Sequence, residues 1–430
     1  MVVGLSGGVD SVVLLDLMQR AAGGRFELSA LHINHQINPQ ADRWSAFCRA
    51  LCRERGIPCK AVRVNVPRGA SLEAAAREAR YRIFESMSAG LIVLGHNLDD
   101  QVETVLLQLL RGAGVRGLSA MPELRYKARP SSGEAAVLHA KPRRTPPGIF
   151  RPLLTVTREE ILAYARRRGL RWIEDDSNAD TVYDRNFMRH QVLPLIAQRY
   201  PAYRTTLARA SYNLAEAAQL LQELAALDAQ VTAEALSLAE LQRLSPMRAK
   251  NALRSFLTHR GLRMPSAARL EECVRQLLKA APSAKSVADF GSYELRTHAG
   301  QLRVVAKTEA LPPGLCWQWQ GEHSLRLEEL GGTLSFKPRR GSGINRQKLA
   351  GHALSVRLRQ GGESLQPDSG RPKRTLKNLL QEASVPAWQR SRLPLIFSGE
   401  TLVYAPGIGI DAEFRAGRGE VGLEPHWELD

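Results

Sequence analysis

The run Ser6-Gly7-Gly8-Val9-Asp10-Ser11 is the part of the sequence best suited to chemistry. It stands between a short apolar stretch, residues 2–5, and a stretch with an apolar helical face, residues 11–20. Two adjacent glycines let the backbone approach a ligand closely and take positive φ. A helix starting just after them offers free N–H groups to an anion. Ser6 and Ser11 add hydroxyl donors. Asp10 is an odd partner for bare phosphate, but it suits a phosphate-bound Mg2+ or the orientation of the loop. The expected chemistry is phosphate binding. The Gly-Lys-Ser/Thr ending of a Walker A loop is missing, and so is GxGxxG.

Such a loop needs a strand before it and a helix after it. Strands are predicted at 2–5, 28–33, 60–66 and 91–95, alternating with helices at 11–20, 41–55, 71–89 and 99–111. That rhythm predicts an α/β fold with a parallel, doubly wound sheet. Residues 123–150, rich in Pro, Gly, Arg and Lys, read as a basic loop or insertion. A helix resumes at 156–169, with Thr157 as N-cap and Glu160 at N3. The stretch 203–260 is Ala/Leu-rich and helical, and 266–280 adds another helix. Short alternating strands follow from about residue 287. The expected organisation is a catalytic domain at 1–215, a mainly helical middle domain at 216–315 and a small, basic α+β domain at 316–430. Only five residues precede Ser6, so the first strand should be short, or the natural start lies upstream.

The chain has 430 residues, with 60 Lys+Arg against 43 Asp+Glu and a formal charge of +17. This favours a polyanionic partner, because phosphates are attracted through counterion release. Aromatics are only 6%, which argues against base stacking as the main binding mode. No stretch approaches the roughly 18 apolar residues of a membrane helix, and the first residues lack a signal-peptide pattern. A cytoplasmic protein is expected. Five cysteines without a CxxC pair fit a reducing compartment rather than a zinc ribbon or disulfide framework. Cys48 and Cys52, one helical turn apart, read as helix packing.

The SGGxDS pattern resembles the mark of the PP-loop (HUP-type) ATP pyrophosphatases. Those enzymes split ATP between the α and β phosphates, form an adenylate and let a nucleophile displace AMP. Further motifs follow: Leu31-His32-Ile33-Asn34-His35, Gly95-His96-Asn97-Leu98-Asp99-Asp100-Gln101-Val102-Glu103-Thr104, Leu110-Arg111-Gly112-Ala113-Gly114, Gly117-Leu118-Ser119-Ala120-Met121 and Arg151-Pro152-Leu153-Leu154. Asp175-Asp176-Ser177-Asn178 and Tyr183-Asp184-Arg185-Asn186-Phe187-Met188-Arg189 complete the series. This succession resembles the tRNA(Ile)-lysidine synthetase family over roughly the first 200 residues. The stretch from Gly362 to Phe414, with PKRTLKNLLQEASVPAWQR and LVYAPGIGID, resembles that family's C-terminal domain.

The resemblance implies that ATP adenylates the C2 oxygen of the wobble cytidine in a CAU-anticodon isoleucine tRNA. Free lysine then attacks C2 and AMP leaves. The product, lysidine, pairs with A and switches the tRNA from methionine to isoleucine identity. ATP and Mg2+ are implied. Ser6, Gly7, Gly8, Val9, Asp10, Ser11, His32 and His96 would meet ATP. Asp10 is the first candidate for magnesium, with Asp99, Asp100 and Glu103 behind it. Asp10, Asp100 and Arg111 are the catalytic candidates. Arg111 and Arg151 would meet the α-phosphate or the adenylate.

Glu160 would take the incoming lysine's ammonium group, or simply cap its helix. Asp176, Asn178, Arg185 and Asn186 would shape the lysine or cytidine pocket. Arg371, Lys373, Arg374 and Lys377 would grip tRNA away from the wobble base, with Arg374 and Lys377 on one helical face. A homodimer is one option for assembly; the sequence does not set it. Two other readings stand beside this one: a tRNA thiolase, which needs a persulfide cysteine or an iron–sulfur centre, and an inactive basic RNA-binding protein.

Overall fold

The computed structural model describes residues 1–66, 72–126, 146–175, 180–229, 235–280, 287–307, 311–312, 314–349 and 354–429, the side chains of 72–74 and 287 excepted. These residues form two compact units, divided between Leu224 and Ala225.

The first unit is built on six strands: β1 (Val2–Gly4), β2 (Ser29–Asn34), β3 (Cys59–Arg63), β4 (Leu91–Val93), β5 (Leu124–Arg125) and β6 (Gly148–Phe150). Their order is β3-β2-β1-β4-β6-β5. The first five in that order run parallel, and β5 pairs antiparallel with β6. The central strand β1 alternates its side chains between the two faces, as a pleated strand must. Val3 packs with the buried run Val12-Val13-Leu14-Leu15, while Val2 packs with Leu31, Ile92, Ile149 and Phe84. A sheet buried on both faces reads as continuous apolar runs. Truncating Leu14, which has no exposed surface, would cost about 2–5 kcal/mol.

Nine helices are described in this unit: α1 (Val9–Ala22), α2 (Ala41–Glu54), α3 (Leu72–Ser86), α4 (Leu98–Leu110), α5 (Val115–Leu118), α6 (Arg158–Arg167), α7 (Asp184–Phe187), α8 (Leu193–Arg199) and α9 (Tyr203–Asp228). A π-helical turn, Met188–Val192, joins α7 to α8. The chain passes into the second unit within α9.

Two expectations change here. Helix α1 begins at Val9 rather than residue 11, so Asp10 lies in its first turn. The stretch 123–150 is not one long loop, because β5 and β6 extend the sheet from its two ends. A three-residue strand next to a basic, Pro-rich run carries too little pattern to be read. Residues 127–145 of that insertion lie outside the described residues.

The second unit contains an antiparallel four-stranded sheet whose order is β7-β10-β9-β8, made by β7 (Leu236–Ser237), β8 (Val287–Asp289), β9 (Tyr293–His298) and β10 (Gln301–Ala306). Helices α10 (Leu238–Gln242), α11 (Pro246–His259) and α12 (Ala267–Lys279) pack on it through Leu241, Leu253, Phe256, Leu270 and Leu277. Beyond it lie a five-stranded sheet, a three-stranded sheet and a short hairpin formed by Ser364–Leu365 and Arg374–Thr375. That hairpin leads into helix α13 (Leu376–Glu382). Among the described residues, no helix is long and apolar enough to cross a membrane.

Candidate active site

The loop between β1 and α1 is shaped by Gly7 and fastened by Ser11. Gly7 sits at φ +95°, and a Cβ there would lie 2.7 Å from Ile173 Cδ1 and 3.2 Å from Cys48 Sγ. Only glycine fits that conformation and that space. Ile173 N donates to Gly7 O at 2.9 Å, so a segment 166 residues later holds the loop. The buried Ser11 Oγ accepts from Ser6 N at 3.2 Å and from Gly7 N at 3.1 Å, and donates to Gly8 O at 2.9 Å. Ser11 therefore braces the loop from within instead of reaching outward. Ser6 Oγ, at the exposed side, accepts from Gly8 N at 3.3 Å. Val9 is buried and offers only its backbone. The first amides of α1 have no intrahelical acceptor, as at any helix start. The loop can seat an anion there.

Asp10 lies beside this seat. Its Oδ1 accepts from Asn97 Nδ2 at 2.9 Å, and its Oδ2 is 3.4 Å from Arg158 Nη1. Burial raises its pKa above the usual carboxylate value; Arg158 and Asn97 pull it back, and Asp100 adds to the rise. A side chain at Gly95 would press within 3.0 Å of the Asp10 carbonyl, so the end of β4 closes tightly on the first turn of α1.

The three acids at the start of α4 have other partners. Asp99 accepts from Arg204 Nε at 2.6 Å and from Arg158 N at 2.9 Å. Asp100 closes a capping box with Asn97 and takes Arg185 at 3.1 Å. Glu103 is fully buried and accepts from Arg185 Nε and Arg189 Nε, both at 2.7 Å. A carboxylate fully engaged by guanidinium groups is a poor magnesium ligand. Among the described residues, no group of three or more His, Cys, Asp or Glu could hold a metal. Asp10 is left as the acid that fits a cation, since Mg2+ commonly takes one or two carboxylates and completes its shell with phosphate and water.

The histidines divide. His32 is buried, and its Nδ1 lies 2.9 Å from Leu5 O, which ties β2 to the start of the loop; burial lowers its pKa. His96 and His35 each have a buried Nδ1 without a partner. Burial pushes both down to about 4; Asp100 opposes this at His96, and Arg80 adds to it at His35.

Glu160 makes the capping box of α6: Oε2 accepts from Thr157 N and Thr157 Oγ1, both at 2.8 Å. These two bonds hold its pKa below the usual value. Arg111 is exposed, at the C-terminal end of α4, 3.6 Å from Asp184. Asn186 Nδ2 donates to Asp180 O at 2.8 Å. Asp176 and Asn178 lie outside the described residues. Cys48 and Cys52 are buried on α2, and burial pushes the Cys48 thiol up to about 12.

In the second unit, Thr375 is the N-cap of α13, which puts Arg374 before the helix and Lys377 inside it. The two do not share a helical face. Arg374 pairs with Glu382, with Nη1 to Oε2 at 2.7 Å, and Arg371 is 3.7 Å from Asp368. Lys373 and Lys377 are exposed.

Asn97, Arg158 and Arg204 escaped notice as positioning residues in the sequence. For Asn97 a signal existed, because Asn followed three residues later by an acid is a capping pattern. Arg158 and Arg204 carried none.

Three family models match the chain: a PP-loop domain over residues 1–196, a TilS substrate binding domain over 236–303 and a TilS substrate C-terminal domain over 354–427. Curated relatives match along almost the whole chain. A tRNA(Ile)-lysidine synthase of Nitrosomonas europaea is 46% identical, covering 99% of this chain and 91% of its own length. The synthase of that name from Coxiella burnetii is 38% identical over the same shares, and that of Azoarcus sp. is 40% identical over 98% and 90%. With the phosphate loop, the α4 turn and these matches together, the chain belongs to the tRNA(Ile)-lysidine synthase family.

Proposed function

We propose that this chain performs the reaction for which its relatives are named, joining free L-lysine to C2 of the wobble cytidine in the CAU-anticodon isoleucine tRNA. The wobble C2 oxygen attacks the α-phosphorus of ATP, and pyrophosphate leaves. The lysine amine then attacks C2, loses a proton and expels AMP with the former C2 oxygen. The observation that carries this reading is the Asp10 carboxylate set beside a glycine loop and a helix N-terminus, in a chain of this family.

The residues divide the work. The Ser6–Ser11 loop seats the phosphates with backbone amides, which stabilise charge without reorganising. Asp10 would hold Mg2+, which when bound neutralises phosphate charge. Asn97 and Arg158 keep the Asp10 carboxylate ionised and aimed. Asp100, Glu103, Arg185 and Arg189 hold the α4 turn in place. Glu160 takes an ammonium group of the incoming lysine through Oε1, which carries no bond among the described residues. Arg111 meets the adenylate. Arg371, Lys373, Arg374 and Lys377 belong to the tRNA-facing surface of the C-terminal region, and the reaction takes place in the cytoplasm.

The test is pyrophosphate and AMP release with ATP, lysine and the isoleucine tRNA. AMP release should require lysine. Release supported by a sulfide donor in place of lysine would overturn the reading in favour of a thiolase.

A further inference from the structure

Three arginines converge on one tyrosine at the edge of the parallel sheet. Arg77 and Arg125 stand over the Tyr81 ring, 5.0 and 5.1 Å from its centroid. Arg77 Nη2 and Arg151 Nη2 each lie 3.4 Å from the Tyr81 hydroxyl. Arg151 is 1% exposed, donates to Pro122 O at 2.8 Å and keeps a buried Nε without a partner. Arg77 and Arg125 are exposed. Among the described residues none of the three arginines has a carboxylate partner; Glu78, next to Arg77, pairs with Arg82 at 3.1 Å.

Cations gathered without acids repel one another, and burying one without a counter-charge is costly. Such a cluster is stabilised by an anion that enters from outside. Burial alone would raise the Tyr81 pKa, yet the three arginines bring it below the ordinary tyrosine value, so the local field is strongly positive. The unpartnered His96 Nδ1, between this cluster and the α4 turn, adds no positive charge, because its pKa is about 4.

We propose that Arg77 and Arg125, on the Tyr81 platform braced by Arg151, form a phosphodiester clamp for the RNA strand beside the reacting nucleotide. The proposal rests on the tRNA-modifying reading above. Its location separates it from the ATP phosphates. Arg151 follows β6, and β6 is two strands from β1 in the sheet. At about 4.8 Å per strand, the end of β6 that carries Arg151 is offset sideways from the phosphate loop by about 10 Å, and Arg125, on β5, is one strand further out. A nucleotide whose base reaches the loop leaves its own backbone phosphate out at such a distance. Arginine forks suit that phosphate, and the Tyr81 ring holds two of them close to it.

The test compares Arg77→Ala, Arg125→Ala and the double variant with wild type, all with melting temperature checked. Binding of an anticodon stem-loop and of ATP is measured over a salt series. The double variant should bind the stem-loop at least tenfold more weakly, and its salt slope should fall by about 0.7 per lost contact on a single strand. Its ATP affinity should stay within twofold. Unchanged stem-loop binding and slope would overturn the clamp. Weakened ATP binding with intact stem-loop binding would overturn it too, by giving the cluster to the nucleotide phosphates. Tyr81→Phe keeps the ring and should retain most of the stem-loop affinity; a loss equal to the double variant would overturn the ring-platform geometry. A wild type that binds the stem-loop but forms no lysidine would sink the proposed reaction and leave the clamp standing.

Discussion

Asn97 and Asp10 are joined by a hydrogen bond of 2.9 Å between elements 87 residues apart. The same Asn97 side chain accepts from Asp100 N at 2.9 Å and so starts α4. One side chain thus sets a helix boundary and aims a carboxylate, which couples the placement of α4 to the charge beside the phosphate loop.

Asp10→Asn should lose activity without losing stability. The folded pKa of Asp10 is raised, so the folded state holds its proton more tightly than the unfolded state. Such a group costs stability as pH rises from the unfolded value through the folded one, and at neutral pH the cost is fully present. The melting temperature of Asp10→Asn at pH 7 should equal or exceed that of wild type. Pyrophosphate release should fall about 100-fold or more. A clear drop in melting temperature would make Asp10 structural.

Glu103→Gln should be among the most destabilising polar changes in the first unit. It leaves Arg185 and Arg189 facing a neutral group in a fully buried place. Breaking a buried pair costs about 3–5 kcal/mol, and the partly exposed arginines place this one toward the lower end. Urea denaturation measures it; a change below about 1 kcal/mol would show that the network contributes little.

Acid should weaken the first unit before its carboxylates protonate. His35 and His96 have folded pKa values of about 4 against 6.5 unfolded. Between those values the unfolded state binds more protons, so stability present above pH 6.5 is lost as pH falls toward about 4. His96→Gln should flatten part of that slope in a melting series. An unchanged slope would mean that His96 is protonated when folded.

Glu160→Gln separates two roles. Glutamine serves a capping box as glutamate does, so the melting temperature should hold. The lysine KM should rise at least tenfold while the ATP KM stays put. A lysine KM within twofold of wild type would leave Glu160 as a helix cap alone.

In the C-terminal region, Lys373 and Lys377 should carry more of the tRNA contact than Arg374, which Glu382 already engages. Lys373→Ala/Lys377→Ala should lower full-length tRNA affinity and reduce the salt slope by about 0.9 per lost contact on a duplex. Stem-loop activity should barely change. Equal damage to both substrates would place these lysines at the anticodon.

What the sequence disclosed was local. Gly7 and Gly8 between a strand and a helix, and Thr157 three residues before Glu160, announce themselves within six residues. The partners of Glu103 stand 82 and 86 residues away, and no periodicity predicts such a meeting. Acids at 99, 100 and 103 read equally well as metal ligands or helix-dipole charges until Arg204, Arg185 and Arg189 are seen beside them. Arg374 and Lys377 have helical spacing, but the cap at Thr375 excludes the first from the helix, and a shift of one residue at a boundary was enough to undo that reading. The strand β6 was hidden by its length.

The bond from Ile173 N to Gly7 O has a consequence for biosynthesis. The loop leaves the ribosome well before Ile173 and Arg204, yet its shape depends on Ile173, and the α4 turn beside it depends on Arg204. At 5–20 residues per second, about 10–40 s of translation separate the loop's emergence from its completion. During that interval a nascent chain has no finished nucleotide seat, and cellular ATP cannot help it fold. Ligand assistance can begin only when the whole first unit has been made.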